Sequence, residues 1–149
     1  MISQKARYAL RALVALARSD RAGEAMVISE IAERERIPKK FLEQILLDLK
    51  HHGIVDSRRG KAGGYMLLRG ADAITFGEIL RIIDGPIALL PCLSKIAYRR
   101  CEDCVSEERC EVRRVFARVA ESSREILDRT TLADAIGSAR APALQVMAS

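Results

Sequence analysis

Residues 38–68 read PKKFLEQILLDLKHHGIVDSRRGKAGGYMLL. Pro38 suits the first position of a helix, where its missing N–H would find no partner in any case. From there Phe41, Leu42, Ile45, Leu46 and Leu49 recur at steps of three and four, the period of one buried helical face. Gly53 ends the pattern as a left-handed cap. Ile54-Val55-Asp56-Ser57 then reads as a short strand, Arg58 to Gly64 as a turn rich in glycine and cations, and Tyr65-Met66-Leu67-Leu68 as the returning strand. A hairpin set directly after a helix decides the fold.

Upstream, Ala6, Leu10, Leu13, Val14 and Ala17 predict a helix that stops near Ser19-Asp20. Ser29 is placed to cap a short helix carrying Ile31 and Ala32 inward to about Arg36, and Ile37-Pro38 breaks the chain. A short helix, a tight break and a longer helix make a helix-turn-helix. The hairpin that follows is then its wing, so the chain reads as mainly α, a winged helix-turn-helix. Downstream, Thr75 and Glu78 form a capping box for a helix with Ile79, Ile82 and Ile83 inward, ending at Gly85-Pro86. Periodicity is lost from Leu89 to Arg109, with one turn expected around Lys95 to Tyr98. Helical pattern resumes at Val112, interrupted at Ser122 and Ser123, and a final short helix starts at Thr131 with Asp134 three residues on. From Gly137 an Ala/Ser/Pro tail is expected to be disordered. This divides the chain into a DNA-binding unit (1–86), a cysteine-rich loop (87–111), a long C-terminal dimerisation helix with a short terminal helix (112–136) and a tail (137–149).

The chain has 149 residues, 49% apolar and 30% charged, which suits a packed core and excludes a wholly disordered chain. Lys and Arg number 25 against 20 Asp and Glu, a net charge of +5 that leans mildly towards a polyanionic partner. Three Phe, three Tyr and no Trp argue against a base-stacking platform for single strands. No apolar run approaches the ~20 residues of a membrane span. Arg7, Arg11 and Arg18 break up the start, unlike a secretory signal, so a cytoplasmic protein with no membrane partner is expected. No Ser/His/Asp set, phosphate loop or catalytic carboxylate pair stands out, and the two histidines, His51 and His52, are neighbours. An enzyme is not expected.

The buried stripe on the 38–52 helix leaves Lys39, Lys40, Glu43, Gln44 and Lys50 outward. Lysines reach phosphates, Gln bonds the adenine edge, and Glu accepts from cytosine. Arg58, Arg59, Gly60 and Lys61 in the hairpin turn add cations next to glycine, which lets backbone approach a groove, and Ser29 opens the supporting helix. An Arg at a hairpin tip suits a narrow minor groove. Double-stranded DNA is the expected partner. Val112, Val115, Val119 and Ile126 form a stripe too apolar for a solvated helix, which predicts pairing with a second copy of the chain.

All four cysteines lie between Cys92 and Cys110, with eight residues before Cys101, two before Cys104 and five before Cys110. In a reducing compartment that crowding reads as metal binding or redox chemistry. Soft thiolates suit an iron–sulfur cluster or zinc. A structural zinc site usually has two short knuckles, and here only Cys101-Glu102-Asp103-Cys104 qualifies. Arg99, Arg100 and Arg109 nearby would favour thiolates, which also serves thiol redox chemistry.

Phe41-Leu42-Glu43-Gln44-Ile45-Leu46, Leu49, Gly53-Ile54-Val55, Ser57, Arg59-Gly60, Gly63-Gly64-Tyr65 and Ile74-Thr75 together resemble the signature of the Rrf2 family of bacterial winged-helix transcription regulators. The resemblance runs from residue 1 to about 136, and its Arg-Gly-x-x-Gly-Gly-Tyr wing is specific. It implies a homodimer on a palindromic operator, one recognition helix per half-site. It also implies an iron–sulfur cluster, 2Fe–2S ahead of 4Fe–4S, on Cys92, Cys104 and Cys110. Two positions depart from the family pattern. Arg113 stands where some members place a histidine ligand, and Tyr8 where others place an acidic one. Cys101 is the substitute at hand, either as fourth ligand or as a resolving thiol. The function implied is operator binding governed by the cluster, in response to iron, redox state or nitric oxide. The alternatives are a thiol-based redox regulator without a cluster and an iron–sulfur carrier.

Overall fold

The computed structural model describes residues 2–20 and 24–137. Its helices are α1 (Gln4–Asp20), α2 (Ile28–Glu35), α3 (Lys39–His51), α4 (Phe76–Asp84), α5 (Glu111–Arg129) and α6 (Leu132–Gly137), and its strands are β1 (Val55–Arg58) and β2 (Gly64–Leu67). Single 3₁₀ turns occupy Ala71–Ala73 and Pro91–Leu93.

α1 is the centre. Ala6, Ala9, Ala12, Ala15 and Ala17 join Leu13 and Leu16 as buried residues, a face wider than the expected stripe. The width follows from company: α2, α3, β2, α4 and α6 all contact this one helix. Small side chains let those neighbours come close, and the larger Ile31, Leu42, Ile45, Leu46, Leu49, Ile54, Ile74 and Ile79 fill the remaining volume. Leu132 of α6 is completely buried in the same core.

The wing is an antiparallel hairpin in the register Val55↔Leu67 to Arg58↔Gly64. An isolated bridge adds Met26 to it, the Met26 N–H donating to Tyr65 O at 2.9 Å while Tyr65 N–H donates to Met26 O at 2.7 Å. Holding Met26 beside the hairpin keeps Val27 extended (φ −71°, ψ 149°), so Val27 is the N-cap of α2 and Ser29 does not cap it. Arg36 then makes the turn to α3 in the left-handed region (φ 51°).

Phe41, expected in the core, is 39% exposed and meets Tyr8 edge-on, ring centres 5.7 Å apart. The capping box at Thr75 is half formed: Thr75 Oγ1 accepts from Glu78 N–H at 3.2 Å, but the Glu78 carboxylate turns to Arg69 at 2.6 Å. Backbone bonds from Phe76 N–H to Thr130 O and from Leu132 N–H to Ile74 O clasp this start of α4 to the end of α5. The reciprocal box forms instead at α6. There Asp134 N–H donates to Thr131 Oγ1 at 3.0 Å and Thr131 N–H to Asp134 Oδ2 at 2.9 Å.

Ser122 and Ser123 do not interrupt α5, since serine in a helix costs only a few tenths of a kcal/mol. The 3₁₀ turn of the cysteine loop falls at Pro91–Leu93, started by proline, and hydrogen-bonded turns follow at 101–104 and 107–110, not at Lys95 to Tyr98. Gly137 closes α6, and the rest of the expected tail lies outside the described residues.

Candidate nucleic-acid interface and cysteine cleft

α3 buries Leu42, Ile45, Leu46 and Leu49 and leaves Lys39, Lys40, Glu43 and Gln44 exposed on its outer side. Arg58, Arg59, Gly60 and Lys61 are exposed at the wing, and Ser29 is exposed on α2. Lys50 is committed within the molecule. Its Nζ lies 2.7 Å from Ser57 Oγ and 3.6 Å from Asp56, tying the end of α3 to β1. Helix and wing are therefore fixed to each other as one cationic surface. Gly64 sets the wing against the body: its φ is +142°, and a Cβ there would stand 2.5 Å from the Met26 carbonyl.

Gln44 is also engaged. Its Nε2 donates to Asp48 Oδ1 at 3.1 Å, and Asp48 Oδ2 takes Lys5 Nζ of α1 at 2.7 Å. The Lys5 hydrogen bond, against some burial and helped by Gln44, holds the Asp48 carboxyl below its usual range. His52 Nδ1 sits 2.8 Å from the Asp48 carbonyl. Among these contacts sequence reading anticipated the exposed groups but not the network. A Gln and an Asp four residues apart on one helix was the available signal.

Cys92, Cys101, Cys104 and Cys110 are all free thiols lining one open cleft of about 720 Å³. Cys92 is buried on the 3₁₀ turn, Cys101 is exposed at the rim, and Cys104 and Cys110 are half-buried. Cys104 N–H donates to Cys101 O at 3.2 Å, which closes the knuckle as a turn. Partial desolvation, then the charges of Cys92, Asp103, Cys104 and Cys110, push the Cys101 thiol up. Arg100 donates to the Cys104 carbonyl at 3.1 Å and to the Val105 carbonyl at 3.4 Å. Cys110 is the N-cap of α5, its Sγ accepting from Arg113 N–H at 3.3 Å.

Arg113 lines this cleft with its Nε buried, 4.0 Å from Glu107 and without a hydrogen bond. Tyr8 is far from such a role: it packs on Phe41 and accepts from Gln4 Nε2 at 2.6 Å. Four soft donors around one cleft fit a sulfur-ligated group. Among the described residues no three His, Cys, Asp or Glu side chains converge closely enough to hold one metal ion.

α5 carries an unpartnered apolar face. Val112 (57%), Val115 (59%), Val119 (45%) and Ile126 (65%) are exposed, while Ala120, on the side towards α4, is 2% exposed. No described helix is long and apolar enough to cross a membrane.

The profile of the Rrf2 family, described as an iron-dependent transcriptional regulator, matches residues 2–138. An Rrf2-like HTH-type transcriptional regulator from Rhodobacter capsulatus is 49% identical over 140 residues, covering 93% of each chain. The HTH-type transcriptional regulator IscR of Erwinia tasmaniensis is 31% identical, covering 92% of this chain and 79% of its own. The solved structure of CymR, the global cysteine regulator of Bacillus subtilis, superposes with a TM-score of 0.76 at 32% identity, covering 92% of this chain and 96% of its own.

Proposed function

Because the chain belongs to the Rrf2 family of transcriptional regulators, we propose that it is a homodimer that binds a palindromic DNA operator under control of an iron–sulfur cluster. Cys92, Cys104 and Cys110 hold the cluster, with Cys101 as the fourth ligand. The observation that carries this is the four free thiols on one cleft, next to the exposed apolar face of α5. Bound there, the group supplies one-electron redox chemistry and a centre open to small oxidants.

The remaining work falls to the protein's own residues. Lys39, Lys40, Arg58 and Lys61 hold phosphates, Glu43 and Gln44 meet base edges, and Arg59 enters the minor groove. The α5 faces of two copies meet through Val112, Val115, Val119 and Ile126, setting the recognition helices about 34 Å apart, one turn of DNA. Both ends of the cysteine loop are anchored on α5: Arg124 holds the Leu93 carbonyl, and Cys110 caps the helix. Ordering of the loop is passed to the helix that spaces the two reading heads. Such coupling changes DNA affinity only through a difference between the two poses.

A second reading, thiol redox control without a cluster, draws on Cys101 and Cys104 at the two ends of one turn beside Arg100. One experiment separates the two. Anaerobically purified protein is assayed for iron, acid-labile sulfide and visible absorption, and its operator, selected from random duplexes, is titrated with holo and apo forms. Equal iron and sulfide with a holo–apo affinity difference supports the cluster. Colourless protein whose affinity changes on thiol oxidation supports the second reading.

A further inference from the structure

Lys5, Asp48 and Gln44 form a chain of contacts that the reading of DNA by exposed groups does not require. Lys5 lies on α1, 43 residues before Asp48, and its Nζ meets Asp48 Oδ2 at 2.7 Å. The other carboxylate oxygen accepts from Gln44 Nε2 at 3.1 Å. We propose that Asp48 is a positioning residue for base selection: as a pure acceptor it fixes which way round the Gln44 amide faces the DNA, and so which base Gln44 prefers. This rests on the reading of α3 as the recognition helix.

The chemistry is that of an amide with two unlike ends. An ionised carboxylate offers no hydrogen to donate, so Gln44 must turn its NH₂ towards it. Lys5 and Gln44 together keep Asp48 ionised by holding its carboxyl below the usual range. Gln44 Oε1 then lies on the opposite side of the amide carbon, pointing away from Asp48, with one N–H left to donate. That pattern complements adenine, which presents an N6 donor and an N7 acceptor, and its oxygen alone complements the N4 donor of cytosine. Guanine and thymine offer acceptors where Oε1 needs a donor. An asparagine at 48 has the same shape, but it can present its own NH₂ to Gln44 Oε1. Gln44 is then free to flip and to donate to guanine or thymine.

The test uses the full chain and selection from a duplex library with randomised half-sites, together with thermal melts. Wild type selects adenine or cytosine at one position per half-site, and Gln44→Ala erases that choice. Asp48→Asn lowers the preference there about tenfold, read as the ratio of specific to non-specific affinity so that the effect of the lost charge cancels. Asp48→Glu, still a pure acceptor, retains it. Lys5→Ala loosens α1 from α3 and lowers the melting temperature, yet keeps the preference, which separates positioning from mere stability. In a Gln44→Ala background, Asp48→Asn changes nothing further. A preference that Gln44→Ala erases but Asp48→Asn leaves intact overturns the proposal. So does an equal effect of Asp48→Asn with and without Gln44. If Gln44→Ala itself leaves every position unchanged, the assignment of Gln44 to base reading is what fails.

Discussion

Arg124 of α5 donates to the carbonyl of Leu93, 3.1 Å away and one residue beyond Cys92, while its Nε reaches the Ile87 carbonyl at 3.3 Å. One guanidinium thus holds both flanks of the segment that enters the cysteine cleft. Its side chain is only 19% exposed, so the bonds are sheltered from water. Arg124→Met keeps the aliphatic stem and loses these charge-assisted bonds. It should destabilise the fold by about 2 kcal/mol and raise amide exchange across 87–94. Hydrogen-exchange mass spectrometry checks this, and unchanged protection there would show that the loop is held by something else.

The wing depends on Gly64. Its φ of +142° disfavours any side chain, and a Cβ would come within 2.5 Å of Met26 backbone atoms. Gly64→Ala should cost about 3 kcal/mol or more by combining backbone strain with overlap. Because Met26 and Tyr65 exchange two backbone hydrogen bonds at this point, the strain is relieved by prising the wing off. Urea melts should show the loss of stability, and DNA affinity should fall with it. A variant as stable as wild type removes the close approach as a constraint.

Much of this was legible because the deciding signals are local. The period of Leu42, Ile45, Leu46 and Leu49, the left-handed Gly53 and the hairpin after it specify helix and wing without help from the rest of the chain. What was missed was set by tertiary contact. Met26 bridges to Tyr65, nearly forty residues away, which moves the start of α2 and removes Ser29 as its cap. Phe41 lies on the apolar period yet is 39% exposed, with the Tyr8 ring set nearly perpendicular against it. At the site, residue types announced exposed cations and clustered thiols. Only the fold shows Lys50 turned back to Ser57 and Gln44 tied to Asp48.

The Lys5–Asp48 pair predicts a pH dependence. Asp48 is held below its usual pKa in the folded state, chiefly by the Lys5 hydrogen bond. Its unfolded value is about 4. Its contribution is therefore complete above that pH and is lost as pH falls through the lower folded value. Each partner is about a third exposed, which limits the pair to about 1 kcal/mol. Denaturant melts of wild type and Lys5→Met should differ by that much at pH 7 and converge towards pH 2. A gap that persists at acid pH would assign the effect to packing of the lysine stem.

The exposed stripe of α5 predicts assembly. Four aliphatic residues between 45% and 65% exposed on one helix face are costly to leave in water. Val119→Glu places a charge in the middle of that face and should yield monomers that bind a single half-site weakly. Sedimentation of wild type and variant checks this. A monomeric wild type in both apo and holo forms removes the two-fold arrangement from the mechanism.

Cys101 separates the possible ligand sets. It is the exposed cysteine, at the rim of the cleft, while Cys92 is buried and Cys104 and Cys110 are half-buried. Replacing Cys92, Cys104 or Cys110 by Ala removes a thiolate from the inner wall and should abolish visible absorption in anaerobic protein. If Cys101 is the fourth ligand, Cys101→Ala gives the same loss, and no partner is needed from Arg113, which cannot ligate, or from Tyr8, which is occupied by Phe41 and Gln4. An unchanged spectrum in Cys101→Ala places the fourth ligand on another residue or on a bound small molecule. Exposure then makes Cys101 the thiol that pairs with Cys104 once the cluster is gone, an outcome visible as a two-dalton mass loss after treatment of the apo protein with glutathione disulfide, with two glutathiones released. If all four variants match a colourless wild type in DNA affinity, before and after oxidation, the cysteines play no part in control.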